Sequence, residues 1–240
     1  MIETKNLAKE FKIRHEKKTT IFEKMNPFTR KERIETLKAI QNLNIQINKG
    51  ECIGIIGRNG SGKTTLLKMI SKILVPTKGK IKTRGNITSI IELGVGFQDD
   101  LTAKENTYLY GAIMGMTREA INKKMKEIMG FSELERFMDT KISSFSSGMR
   151  VRLSYSIAIQ TDFDILILDE IFAVGDKNFQ EKCIRKLEEL KKQGKTIVLT
   201  SHNHDLIKKY TDKTLVLDKG KKIWYGETLK AIKKYEEIIK

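Results

Sequence analysis

The feature that most restricts this chain is Gly57-Arg58-Asn59-Gly60-Ser61-Gly62-Lys63-Thr64, followed by Thr65. It fits GxxxxGK[ST] at every fixed position. An apolar run, Cys52 to Ile56, leads into it. An amphipathic stretch from Lys63 to about Ile73 leads out, with Leu66, Leu67, Met69 and Ile70 as its apolar set. Strand, glycine loop and helix in that order make a phosphate cradle. Glycines let successive backbone N–H groups turn inward, and the positive end of the helix dipole points at the same place. Lys63 would supply a point charge to β- and γ-phosphates. The Thr64 hydroxyl is a hard oxygen suited to Mg²⁺.

A second segment completes this one. Ile165-Leu166-Ile167-Leu168 reads as a buried strand that carries Asp169 and Glu170 to a sheet edge. Asp169 there would hold Mg²⁺ through water, and Glu170 would orient and deprotonate a water attacking the γ-phosphate. Together the two segments indicate a nucleoside triphosphatase. Neither indicates which one.

Composition narrows the setting. The 240 residues include 46 Lys and Arg against 30 Asp and Glu, a formal charge of +16. That balance suits an anionic partner: nucleic acid, a phospholipid surface or an anionic ligand. A Lys-rich solvated surface also accounts for it. No run approaches the ~20 apolar residues of a membrane span, and Met1 to Lys5 has no apolar signal region. Cys52 and Cys183 make neither a disulfide framework nor a CxxC site. These features predict a cytosolic chain.

Alternating strand and helix signals predict an α/β fold with a mainly parallel sheet covered on both faces. Strands are expected at Ile2 to Phe11, Leu43 to Ile47, Cys52 to Ile56, Ile165 to Leu168, Thr196 to Thr200 and Thr214 to Leu217. Residues from about 100 to 160 read as a helical subdomain, with helices at Glu105 to Met114, Arg118 to Met129 and Met149 to Gln160. Phe179 to Gln193 and Thr228 to Lys240 read as amphipathic helices. His15 to Lys38 reads as an irregular basic insertion, with Lys17, Lys18, Lys24, Arg30, Lys31, Arg33 and Lys38.

Several further motifs stand in one order along the chain. Gln98 comes first, then Phe145-Ser146-Ser147-Gly148-Met149 before a helix. Ala173-Val174-Gly175-Asp176 follows Glu170, and Thr200-Ser201-His202 follows a strand. The set resembles the Q-loop, the LSGGQ signature, the D-loop and the switch histidine of ABC ATPases, over essentially the whole chain. Gly94-Val95-Gly96-Phe97, Leu101 to Asn106 and the run from Ala173 to Gln180 resemble the subgroup that exports bacterial polysaccharides: O-antigen, capsule and teichoic acid.

The resemblance implies one nucleotide-binding domain over residues 1–240. Its phosphate-loop NTPase fold would have an N-terminal antiparallel β subdomain and the helical subdomain within it. It implies transport-coupled ATP hydrolysis with ATP and Mg²⁺. Glu170, His202 and Lys63 would be catalytic, and Thr64, Gln98 and Asp169 would surround the metal. Nucleotide contacts would come from Phe11, on which adenine would stack, and from Gly57 to Thr65. Ser146, Ser147, Gly148 and Asp176 would act across a head-to-tail homodimer. Ser147 and Met149 depart from the family's Gly and Gln without removing Ser146 or Gly148. The implied partners are a separate membrane permease and, through it, a lipid-linked glycan. Lys78 to Arg84 and the segments from Gln98 to Glu105 would face that permease. The place is the cytoplasmic face of the inner membrane, with His15 to Lys38 and its Phe22, Met25 and Phe28 near anionic headgroups. Another exporter of this kind, with small-molecule or lipid cargo, stays open. A DNA-repair or translation ATPase of the superfamily fits less well, since one ATPase domain and no sustained heptads are seen. Nucleic acid is not expected as a partner. His202-Asn203-His204 shows no third metal ligand nearby, and the strand ending at Thr200 presents His202 rather than His204.

Overall fold

The structure is a computed structural model that describes residues 1–15, 33–91, 94–170 and 176–239. Its frame is a six-stranded sheet. The strands are β3 (Cys52–Ile56), β5 (Ile87–Ile90), β6 (Ile165–Asp169), β7 (Thr196–Thr200), β8 (Lys213–Asp218) and β9 (Lys221–Glu227), in the order β5-β6-β7-β3-β8-β9. The first five run parallel, and β9 pairs antiparallel with β8. Against it lies a three-stranded antiparallel sheet of β1 (Ile2–His15), β2 (Arg33–Ile47) and β4 (Lys78–Thr83), ordered β2-β1-β4.

The period of two along each central strand divides the core. Ile53, Ile55, Ile165, Ile167, Val198, Leu215 and Leu217 face one side. There they meet α1 (Lys63–Ile70) through Leu66, Leu67, Met69 and Ile70, and the antiparallel sheet through Ile2, Leu7, Ile40 and Leu43. Cys52, Ile56, Leu166, Leu168, Ile197, Leu199 and Val216 face the other. They are covered by α4 (Ser147–Ala158), α5 (Lys177–Lys192), α6 (His204–Tyr210) and α7 (Thr228–Ile239). Each such Ile or Leu withdrawn from water contributes about 1.5–3 kcal/mol. Burial on both faces is why these strands read as continuous apolar runs. A further core of Ala103, Tyr110, Ile128, Met129, Leu153 and Ile157 joins α2 (Ala103–Ile113) and α3 (Arg118–Ser132) to α4.

Three helices start two residues before the apolar periodicity predicts, and in each a capping side chain is the cause. Thr102 accepts the Glu105 N–H at 3.2 Å, while Glu105 accepts the Thr102 N–H at 2.8 Å. Ser146 accepts the Met149 N–H at 3.2 Å, and Asp176 accepts the Phe179 N–H at 3.0 Å.

The N-terminal region corrects a larger expectation. Residues 33–38 are not irregular but extend β2, and β1 runs on to His15 to pair with them, Phe11 opposite Leu37 and Ile13 opposite Glu35. Both arms alternate apolar with charged residues, and the charge hid the alternation. The rest of the basic insertion, residues 16–32 with Phe22, Met25 and Phe28, lies outside the described residues, as do residues 171–175, which include Ala173 to Gly175 of the motif ending at Asp176. Lys78–Thr83 forms the edge strand β4. Strands β4, β5 and β9 lie outside the segments expected as strands. Lys222 Nζ donates to the Asn44 carbonyl at 2.7 Å and the Tyr225 hydroxyl to the Gln46 carbonyl at 2.6 Å, so β9 is fastened to β2. Among the described residues no helix is long and apolar enough to cross a membrane.

Both cysteines are unpaired and buried, and burial pushes each thiol up to about 12. Thiolate is the reactive form, so at pH 8 it is scarce in the folded chain. A colorimetric thiol reagent should therefore detect almost no reaction at pH 8 in the native protein and two thiols after denaturation. Rapid labelling of one thiol in the native state would contradict this placement.

Candidate active site

The parallel register brings the C-terminal ends of β3, β6 and β7 to one edge, where ligands of open α/β sheets bind. β3 leads into the glycine loop there, and β6 and β7 deliver Asp169-Glu170 and Thr200-Ser201-His202 beside it. Close packing dictates the loop's glycines. A Cβ on Gly57 would lie 2.3 Å from the Leu217 carbonyl oxygen. Gly62, at φ 105°, would put one 2.4 Å from the Ala39 carbonyl oxygen.

Lys63 is only 7% exposed and curls over its own loop, donating to the Gly57 carbonyl at 2.9 Å. Burial lowers its pKa, against the opposing pull of Glu170 and Asp169. The Lys63 ammonium is thus partly desolvated inside the glycine loop, held by backbone carbonyls of that loop. Ser61 Oγ in the same loop is buried with no hydrogen-bond partner. Both observations fit a loop built around phosphate oxygens.

Asp169 is held by two hydroxyls. Thr64 Oγ1 donates to one carboxylate oxygen at 2.9 Å, and Thr200 Oγ1 donates to the other at 2.5 Å. The Glu170 N–H donates to Thr200 Oγ1 at 3.1 Å. Glu170 has φ 52°, in the left-handed region that non-glycine residues rarely occupy. That turn aims its carboxylate at His202, with Glu170 Oε1 2.8 Å from His202 Nε2 and both side chains about half exposed. Strain of this kind collects at functional sites. The adjoining hydroxyl of Thr64 and carboxylate of Asp169 are hard oxygen donors of the type Mg²⁺ takes, and they fit that ion.

A cleft of about 550 Å³ adjoins these groups, lined by Phe11, Leu37, Asn59 to Thr65, Glu170 and Lys219, while Gly57, Arg58, Asp169 and His202 are not on its walls. The volume suits a nucleotide. Phe11 lines the same cleft as Glu170, with Leu37 directly opposite Phe11 on β2. The turn between β8 and β9 closes another side, since the Gly220 N–H donates to the Ser61 carbonyl at 3.0 Å.

The remaining sequence-predicted residues lie elsewhere. Ser146, Ser147, Gly148 and Asp176 do not line this cleft. Ser146 caps α4, and Asp176 caps α5 and pairs with Arg152, which also reaches Glu133 at 2.9 Å. Gln98 is exposed and not on the cleft wall. Its backbone is latched instead, the N–H donating to Asn106 Oδ1 at 2.7 Å and the carbonyl accepting from Asn106 Nδ2 at 3.0 Å. Asn106 is fully buried and was not legible as a site residue. Neither were Leu37 and Lys219, which reach the cleft only through tertiary folding. Thr200 carried a signal, as the last residue of its strand.

The family model described as "ABC transporter" matches residues 40–173. The chain is 42% identical over 203 residues to the O-antigen export system ATP-binding protein RfbB of Myxococcus xanthus, covering 85% of this chain and 46% of that protein. It is 39% identical to the RfbB protein of Klebsiella pneumoniae, covering 84% and 82%. It is 37% identical to the teichoic acids export ATP-binding protein TagH of Staphylococcus saprophyticus, covering 99% and 89%. In fold it is similar to the ATP-binding cassette MJ0796, solved as a dimer in a post-hydrolysis state with ADP and Pi. The TM-score is 0.75 at 24% identity, over 95% of this chain and 99% of that one. The chain belongs to the ABC transporter family and has the fold of its ATP-binding cassettes.

Proposed function

We propose that this chain is the ATP-hydrolysing subunit of an exporter that moves a lipid-linked bacterial polysaccharide, of the O-antigen, capsule or teichoic acid class, through a separate membrane subunit. The observation that carries the ATPase reading is the contact between Glu170 and His202 beside the phosphate loop, 2.8 Å across. The cargo class is supported by the relatives, whose names are those of O-antigen and teichoic acid export proteins.

The chemistry follows from the edge geometry. The glycine-loop N–H groups and Lys63 bind the phosphates and offset charge that develops on them. Phe11 offers its ring to the adenine and contributes stacking alone. Thr64 and Asp169 are the residues that would hold Mg²⁺, which when bound screens the phosphate oxygens. Glu170 takes a proton from the attacking water, and His202 holds that carboxylate and the γ-phosphate in line. Gln98 is the further residue that would hold Mg²⁺ beside Thr64 and Asp169.

Ser146, Ser147 and Gly148 are exposed or half-buried at the start of α4, outside their own chain's cleft. That placement suits donation to a second copy's γ-phosphate, in a head-to-tail homodimer that ATP closes and hydrolysis releases. Asp176, paired with Arg152 of α4, would approach the partner's site. The helical segment near 100–160 turns within the single domain as this happens, and the latched Gln98 loop passes the motion to the permease. The chain works at the cytoplasmic face of the membrane, where its +16 charge favours an anionic leaflet.

Glu170→Gln should keep ATP binding and accumulate a closed dimer by light scattering, while phosphate release falls at least about 100-fold. Near-normal turnover would remove Glu170 as the base. Depleting the chain in its host should strand lipid-linked glycan on the cytoplasmic leaflet. Normal surface glycan in depleted cells would reject the cargo.

A further inference from the structure

The second histidine of His202-Asn203-His204 has a partner that the hydrolytic site does not explain. Its ring meets Tyr235 of α7 edge to face, with centroids 5.3 Å apart and planes at 81°. The residue between the two histidines is also fixed. Asn203 Oδ1 accepts the Asp205 N–H at 2.9 Å and the Leu206 N–H at 3.3 Å, which caps α6. The Asn203 N–H donates to Ser201 Oγ at 3.0 Å. His202 therefore sits on a short span between Thr200, whose hydroxyl holds Asp169, and the capped start of α6.

The far end of α6 is fastened to the same helix. The hydroxyls of Thr211, Thr214 and Thr228 form a buried triangle with sides of 3.1, 3.0 and 3.0 Å, and Thr228 is the first residue of α7. α7 thus grips α6 at both ends. A cleft of about 430 Å³ shows how near this grip lies to the chemistry: its walls are Arg58, Asn59, His202, Tyr235 and Ile239. One tyrosine packs on His204 and shares a cleft with His202 and the phosphate loop.

We propose that His204 and Tyr235 are positioning residues, through which α7 splints the switch segment and holds His202 within reach of Glu170. Neither touches nucleotide. Their contact restricts the span that carries His202, so its loss lets that imidazole leave Glu170 for part of the time. The rate of the hydrolytic step falls, while binding at the phosphate loop and Phe11 is untouched. The inference rests on Glu170 and His202 being the hydrolytic pair.

Steady-state ATP hydrolysis by the full chain tests it. Tyr235→Ala should lower kcat about 3–10-fold, the rate equivalent of one aromatic pair, with KM for ATP within about twofold. Tyr235→Phe and His204→Phe, which keep a ring at each position, should retain near-full kcat. In a His202→Ala background, Tyr235→Ala should have no further effect, because the residue it positions is gone. Equal losses in both backgrounds, a raised KM with kcat unchanged, or wild-type kinetics in Tyr235→Ala would each overturn the proposal. If Tyr235→Ala does not fold, His204→Ala with its His204→Phe rescue makes the same comparison. If His202→Ala alone leaves turnover unchanged, the hydrolytic pair is refuted and the splint with it. A large His202→Ala loss with an inert Tyr235→Ala refutes the splint alone.

Discussion

Two threonine hydroxyls on one carboxylate hold this molecule's working edge together. Thr64 opens the helix behind the glycine loop, Thr200 ends β7, and both donate to Asp169 at the end of β6. The bridge joins three elements that are far apart in sequence. It forms only because β6, β7 and β3 are parallel and in a register that ends them together. Charge-assisted hydrogen bonds of this kind are roughly twice as strong as neutral ones. Those at Asp169 also set the donor geometry in advance, leaving less reorganisation for the moment of reaction. The same Thr200 hydroxyl receives the Glu170 N–H and so helps to hold the left-handed turn that points Glu170 at His202.

The site was legible in the sequence wherever a local backbone demand names the residue. Gly57 and Gly62 are required by carbonyls that approach within 2.4 Å of where a Cβ would stand. β3, β6 and β7 are buried on both faces, which gives unbroken apolar runs between polar ends. Residues brought in by tertiary contact were not legible. Asn106 looks like any helical polar residue until its side chain is seen to latch both the N–H and the carbonyl of Gln98. Lys219 belongs to a turn that reaches the cleft because Gly220 bonds to Ser61. The long hairpin arm was hidden for the opposite reason. Its alternation is real, but exposed positions such as Ile34 and Leu37 stand among so many charges that the segment reads as irregular.

The charge balance acquires a narrower meaning. Among the described residues, Lys63 is the one buried positive group, at the phosphate loop, and most of the others lie on the surface. Several are already engaged in ion pairs, such as Arg150 with Asp99 and Lys191 with Asp212. Exposed pairs like these contribute little to stability. The excess is better understood as a long-range field than as part of the fold.

The central claim is that Asp169, fixed by Thr64 and Thr200, organises a cation-assisted nucleotide site. Titration calorimetry of ATP into the wild type and Asp169→Asn, with and without Mg²⁺, measures this directly. Mg²⁺ should tighten ATP binding in the wild type, and at least about tenfold of that gain should be lost in Asp169→Asn, as for other outer-sphere metal partners. Binding without Mg²⁺ should change little. Equal magnesium dependence in the two proteins would show that Asp169 does not organise the cation at this site.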